Sequence, residues 1–169
     1  MLRTVSQDAG PAANAEVFVA GLQDEQAALV AFTALLHAEQ DALVKGDADR
    51  VAELARDKAA RIDLLTHLGE LRSRHLATQN LTGGADAMLT WVRRNPGFAA
   101  AVGKIWRELL AQAETARQVN HSNGLLIESR LQQNRLKLAV LQTAAASDGV
   151  YRSDGQLRPL RSARSLSQV

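Results

Sequence analysis

The chain has 169 residues, one domain's worth, and Ala, Leu, Arg, Glu and Lys supply about half of them, a composition of long helices or coiled coils. Three prolines, eleven glycines and 4% aromatic residues leave too little turn and strand material for a sandwich or barrel. The absence of cysteine excludes disulfides, thiolate metal sites, iron-sulfur clusters and cysteine nucleophiles. Twenty basic against eighteen acidic residues give a net charge of +2.

Residues 1–14 are polar, carry Asp8, Gly10, Pro11 and Asn14, and read as a disordered lead-in rather than a signal peptide. The most apolar run, Ala27 to Leu36, is about half of the ~20 residues that span a bilayer, and Gln26 and His37 close it. This predicts a soluble cytoplasmic protein with no membrane insertion. A helical bundle is expected over 15–146. Its first helix carries the seam Phe18, Leu22, Glu25, Leu29, Phe32, Leu36, Glu39, Leu43, an apolar stripe interrupted by two glutamates. Lys45, Gly46 and Asp47 then supply a last-turn cation, a C-terminal glycine and a new N-cap, the signature of a helix hairpin.

The second helix is predicted from about Ala48 to Thr78, with Val51, Leu54, Ile62, Leu65, Leu68 and Leu76 on its apolar side and Lys58 and Arg61 among the charges opposite. Asn80 to Gly84 breaks it. A short connector helix follows over Ala85 to Arg94, closed by Asn95, Pro96 and Gly97. From Phe98 to about Ala146 only Gly103 and Gly124 interrupt the helical pattern, giving a last helix of about 49 residues. The expected architecture is all-α: an elongated antiparallel three-helix bundle or coiled coil with a short connector helix and a flexible C-terminal tail over 147–169. Trp106, Leu109, Ile127 and Leu131 are expected to face the interior.

No Glu has a His three residues on, as a di-iron bundle requires, and His37, His67, His75 and His121 lack zinc-helix spacing. Phosphate-loop, dinucleotide-binding and nucleophile-elbow motifs are missing. The expectation is therefore no catalytic residues, no metal and no cofactor. The last helix instead carries the line Ala116, Asn120, Asn123, Ile127, Leu131, Asn134, Leu138, Leu141. Asparagine on a seam costs stability but fixes register, so Asn120, Asn123 and Asn134 read either as alignment devices or as polar contacts to a partner. Gly124 costs ~1 kcal/mol relative to Ala in a helix interior, which predicts a close approach or a bend there.

The tail combines Arg152, Arg158, Arg161 and Arg164 with Leu157, Leu160, Leu166 and Val169, and only Tyr151 could stack on a base. The apolar residues favour a segment that folds onto a protein groove, with Pro159 suited to the first turn of an induced helix. The alternatives are a nucleic-acid partner for the basic tail and a tail with no binding role. Tyr151 reads either as a partner contact or as a ring packed back on the last helical turn.

The run Asn-His-Ser-Asn-Gly-Leu-Leu-Ile from Asn120 to Ile127, preceded by Trp106, Leu109, Leu110 and Ala113 and followed by Val150, Tyr151, Asp154, Gly155 and Gln156, resembles the FlgN family of flagellar export chaperones. The segment Leu35 to Leu43, and Lys58 with Ile62 and Leu65, fit the family in order and distance, so the resemblance covers roughly 130 residues; Arg152 stands where a Gly often follows the Tyr. The resemblance implies a cytoplasmic, non-enzymatic type III export chaperone. Such a protein binds the terminal helical region of the hook-filament junction proteins, prevents their premature assembly and delivers them to the cytoplasmic part of the export gate. In that setting Leu157, Leu160, Leu166, Val169, Arg158 and Arg161 are the expected client contacts, Tyr151 the export-gate contact, and Asn120, Asn123, Gly124 and Asn134 the register positions. A generic coiled-coil adaptor, binding another protein or nucleic acid through its basic tail, is the competing class.

Overall fold

The computed structural model describes residues 10–148. These are all-α, with no strand among the described residues: α1 (Pro11–Lys45), α2 (Ala48–Thr78), α3 (Gly84–Arg94), a 3₁₀ turn (Pro96–Phe98) and α4 (Ala99–Asp148). Helix α1 begins at Pro11, four residues before the expected bundle boundary at 15. Proline suits that place because the first-turn N–H it lacks would have no intrahelical partner. The last helix runs two residues past the expected end at Ala146.

Gly46 turns α1 into α2. It takes a left-handed conformation at φ 76°, and the Asp47 N–H donates back to the Ala42 carbonyl at 3.0 Å. The Asp47 carboxylate then accepts the Arg50 N–H at 3.0 Å and caps α2. At the other end of α2, Asn80 adopts φ 57°, and the Leu81 N–H returns to the Leu76 carbonyl at 3.0 Å. Asparagine tolerates this conformation better than other residues that carry a side chain.

The described residues fall into two units that divide after Leu126, within α4. In the first, Ala15, Phe18 and Leu22 of α1, Leu76 of α2, Ala87, Met88 and Trp91 of α3, and Val102 and Ile105 of α4 form one apolar cluster. Trp91 is fully buried, with Phe18 at 4.6 Å between ring centroids and Phe98 at 6.5 Å. The connector helix is thus a plug as well as a link. A second cluster joins Leu29 and Leu36 of α1 to Leu109 and Ala116 of α4, with Trp106 half-buried beside it. A third joins Leu35 and Ala42 to Leu54 across the hairpin.

Helix Ala12–Lys45 is long and apolar enough to cross a membrane by length and composition. Its apolar residues supply all three clusters, however, and the same line carries Glu25 and Glu39, each buried and ion-paired. A core helix accounts for that pattern without a bilayer.

His75 stacks on Phe18, with ring centroids 4.3 Å apart and planes 14° from parallel. Burial lowers its pKa below the usual histidine value. The unfolded chain takes up this proton below about pH 6.5, whereas the folded chain resists it until lower pH. His75 therefore contributes its full stability above that pH, and the contribution is lost as pH falls through the folded pKa. The melting temperature should drop between pH 7 and 5.5, and His75→Phe, which keeps a ring on Phe18 but cannot titrate, should reduce the drop. An identical acid-side slope in the variant would show that other groups cause it.

Candidate partner-binding surface

The two glutamates that interrupt the α1 seam lie inside, 6% and 2% exposed, and each is neutralised from α2. The Glu25 carboxylate accepts from Arg72 Nε at 2.9 Å and Nη2 at 3.2 Å, while the Arg72 guanidinium lies 5.1 Å from the Trp106 ring centroid of α4. The Glu39 carboxylate accepts from Lys58 Nζ at 2.9 Å and from Asn123 Nδ2 of α4 at 2.8 Å. Glu25 and Glu39 are fourteen residues apart, and so are Lys58 and Arg72, in reversed order. Helices α1 and α2 are therefore antiparallel, locked at two levels.

Helix α4 enters both levels. Asn123 is fully buried, and its Nδ2 also donates to the Leu36 carbonyl at 2.8 Å, so both amide hydrogens are used. Its Oδ1 has no partner among the described residues. Gln26 of α1 donates to Glu108 of α4 at 2.8 Å. Residue numbers rise together across these contacts, so α4 runs parallel to α1 here. The sequence placed Lys58 on the solvated face of α2; its side chain is 20% exposed and turned to Glu39. Ile62, assigned to the apolar side, is 46% exposed.

The remaining expected register positions differ from Asn123. Asn120 and Asn134 are exposed, with no burial to force their amides into one alignment. Gly124 is exposed too, and nothing lies within 4 Å of where a Cβ would stand, so close approach is not its reason. The expectation that Ile127 and Leu131 face the interior is corrected: they are 37% and 52% exposed, whereas Leu109 is buried. Tyr151 and the tail residues Leu157, Arg158, Leu160, Arg161, Leu166 and Val169 lie outside the described residues. Among the described residues no group of three His, Asp or Glu side chains could hold a metal ion.

In the second unit, every residue of α4 from Ile127 to Ala145 is exposed. Ile127, Leu131, Asn134, Leu138 and Leu141 follow one another at spacings of 4, 3, 4 and 3. At 3.6 residues per turn these five positions fall within an arc of about 80°, an apolar stripe with one amide in its middle. Periodicity identifies this stripe, of which Ile127 and Leu131 are expected in the interior, but it does not show that the stripe is exposed. A helix face of this kind binds other helices through anchors at such intervals. Leu136 and Val140, also exposed, point to the opposite side.

No curated protein and no solved structure matches the chain. The family model described as FlgN protein matches residues 14–159, which take in all but the first turn of α1, the two buried polar locks, the exposed stripe of α4 and the start of the tail. The chain belongs to the FlgN family of flagellar export chaperones.

Proposed function

We propose that this protein holds the terminal helical region of the hook-filament junction proteins in the cytoplasm, prevents their premature assembly and delivers them to the export gate. The observation that carries the reading is the apolar stripe of α4, exposed from Ile127 to Leu141 in a family of export chaperones. A subunit awaiting export presents an amphipathic helix whose apolar face would otherwise seek its neighbours, and a complementary stripe covers it. Binding alone performs this task, so no catalytic group, metal or cofactor is required. The core of the first unit has the character of a three-helix bundle, supported by the antiparallel hairpin of α1 and α2 and by α4 running parallel to α1. Asn123 sets the register of α4 in that bundle.

The tail extends the client site. Leu157, Leu160, Leu166 and Val169, with Arg158 and Arg161, order on the client and spend part of the interaction energy in doing so, which keeps the complex releasable. Tyr151 is the contact to the cytoplasmic part of the export gate. Deleting residues 150–169 should lower the affinity for purified junction proteins about tenfold or more while leaving the far-UV helical signal per residue of the remaining chain nearly unchanged. Tyr151→Ala should impair gate docking and motility with client binding near normal. Unchanged client binding after the deletion would remove the tail from the site and leave it on α4.

A further inference from the structure

The stripe on α4 has charged edges. At 100° per residue, Arg130 and Lys137 fall along one edge and Arg135 along the other, with Arg135 and Lys137 exposed. Glu128, seven residues before Arg135 on the same side, is the one acid between Ile127 and Ser147. The imbalance continues along the chain: after Leu126 there are seven Lys and Arg against three Asp and Glu, whereas up to Leu126 there are thirteen against fifteen. The small net charge of the whole protein conceals a basic C-terminal part.

We propose that this face selects an amphipathic helix whose apolar stripe is flanked by Asp and Glu. The inference rests on α4 being the client face and adds the partner's charge pattern, which the stripe alone leaves open. Leucines at 131, 138 and 141 supply non-directional attraction that any apolar helix satisfies. Arg130 and Lys137 on one edge, with Arg135 beside Glu128 on the other, leave the face net positive, which disfavours a Lys- or Arg-flanked helix and steers an acidic one into line. A polyanion such as RNA would meet the same charges, but it would leave Ile127, Leu131, Leu138 and Leu141 uncovered, and no aromatic residue between Ile127 and Asp148 offers a base a stacking surface.

The test uses the full chain and two synthetic three-heptad peptides with the same leucine stripe, one flanked by Glu and one by Lys, with binding read by fluorescence anisotropy. The Glu-flanked peptide should bind about tenfold tighter at about 50 mM salt, and the advantage should shrink at about 500 mM as screening shortens the reach of the charges. Arg135→Glu with Lys137→Glu should abolish or reverse the preference without changing the circular dichroism spectrum, since both side chains are exposed. Equal affinity for the two peptides, binding of neither, or a preference that survives the charge reversal overturns the proposal. So does a single-stranded RNA oligonucleotide that displaces the Glu-flanked peptide and binds more tightly than it. If junction proteins bind the charge-reversed variant as well as the parent but fail to bind Leu131→Asp with Leu138→Asp, the client reading stands and charge selection falls. If the peptide preference holds but no junction protein binds, charge selection stands and the client identity falls.

Discussion

Lys58→Met should lower stability by about 2–3 kcal/mol, because it strands the Glu39 carboxylate inside the protein with Asn123 as its remaining side-chain donor. For a chain of this size that is a fall of roughly 5–10 °C in melting temperature. The upper end of the usual penalty is not reached, since the Lys58 side chain is 20% exposed and water replaces part of what it supplied. Removing both charges together, as Glu39→Leu with Lys58→Met, should recover most of the loss; what persists is one Asn123 amide hydrogen without its acceptor, while the other keeps the Leu36 carbonyl. The exposed pair Arg50–Glu53, 2.9 Å apart with side chains 52% and 60% exposed, provides the contrast. Arg50→Ala should cost no more than about 0.5 kcal/mol through that pair. If thermal melts place Lys58→Met within a degree of Arg50→Ala, Glu39 does not depend on Lys58, and this pair does not lock α1 to α2.

How the sequence led to part of this architecture is visible at its breaks. Lys45, Gly46 and Asp47 each do a separate job at one turn, and Asn80 to Gly84 cannot continue a helix, so the ends of α2 were readable to the residue. The glutamates of α1 were harder. A seam interrupted at Glu25 and Glu39 reads as a loose seam when one helix is considered alone. The compensating signal lies on another helix: Arg72 and Lys58 repeat the fourteen-residue interval in reverse order, as an antiparallel hairpin requires. The misassigned stripe has a different cause. Periodicity says that a helix has an apolar side but not whether the chain itself covers it, so Leu109 and Leu131 gave the same signal although one is buried and the other is 52% exposed. Asn123 and Asn134 are equally alike in sequence; only the first meets a carboxylate and a free side of a carbonyl on α1.

The α4 stripe leads to the largest expected change in binding. Leu131→Asp combined with Leu138→Asp should weaken junction-protein binding at least about 100-fold, since buried anchors at a helix interface contribute ~2 kcal/mol each and 1.4 kcal/mol is a factor of ten. Full additivity would give about 1,000-fold, but neighbouring anchors on one face share the same partner surface. The fold should tolerate the change: the two leucines are 52% and 57% exposed, and the cost is mainly the lower helix propensity of Asp, about 0.5 kcal/mol at each position. Leu136→Asp with Val140→Asp is the matched control, because those side chains are 61% and 69% exposed on the other side of the same helical turns. It introduces the same two charges, with the propensity loss of Leu136→Asp and little further loss at Val140, so it separates loss of the stripe from the effect of added charge on α4. Calorimetric titration of each variant with a purified junction protein, alongside far-UV circular dichroism, decides the matter. Equal weakening by both pairs would mean that the client reads the helix as a whole or that α4 has frayed, and no loss from the Leu131 and Leu138 pair would move the client site off α4 to the tail.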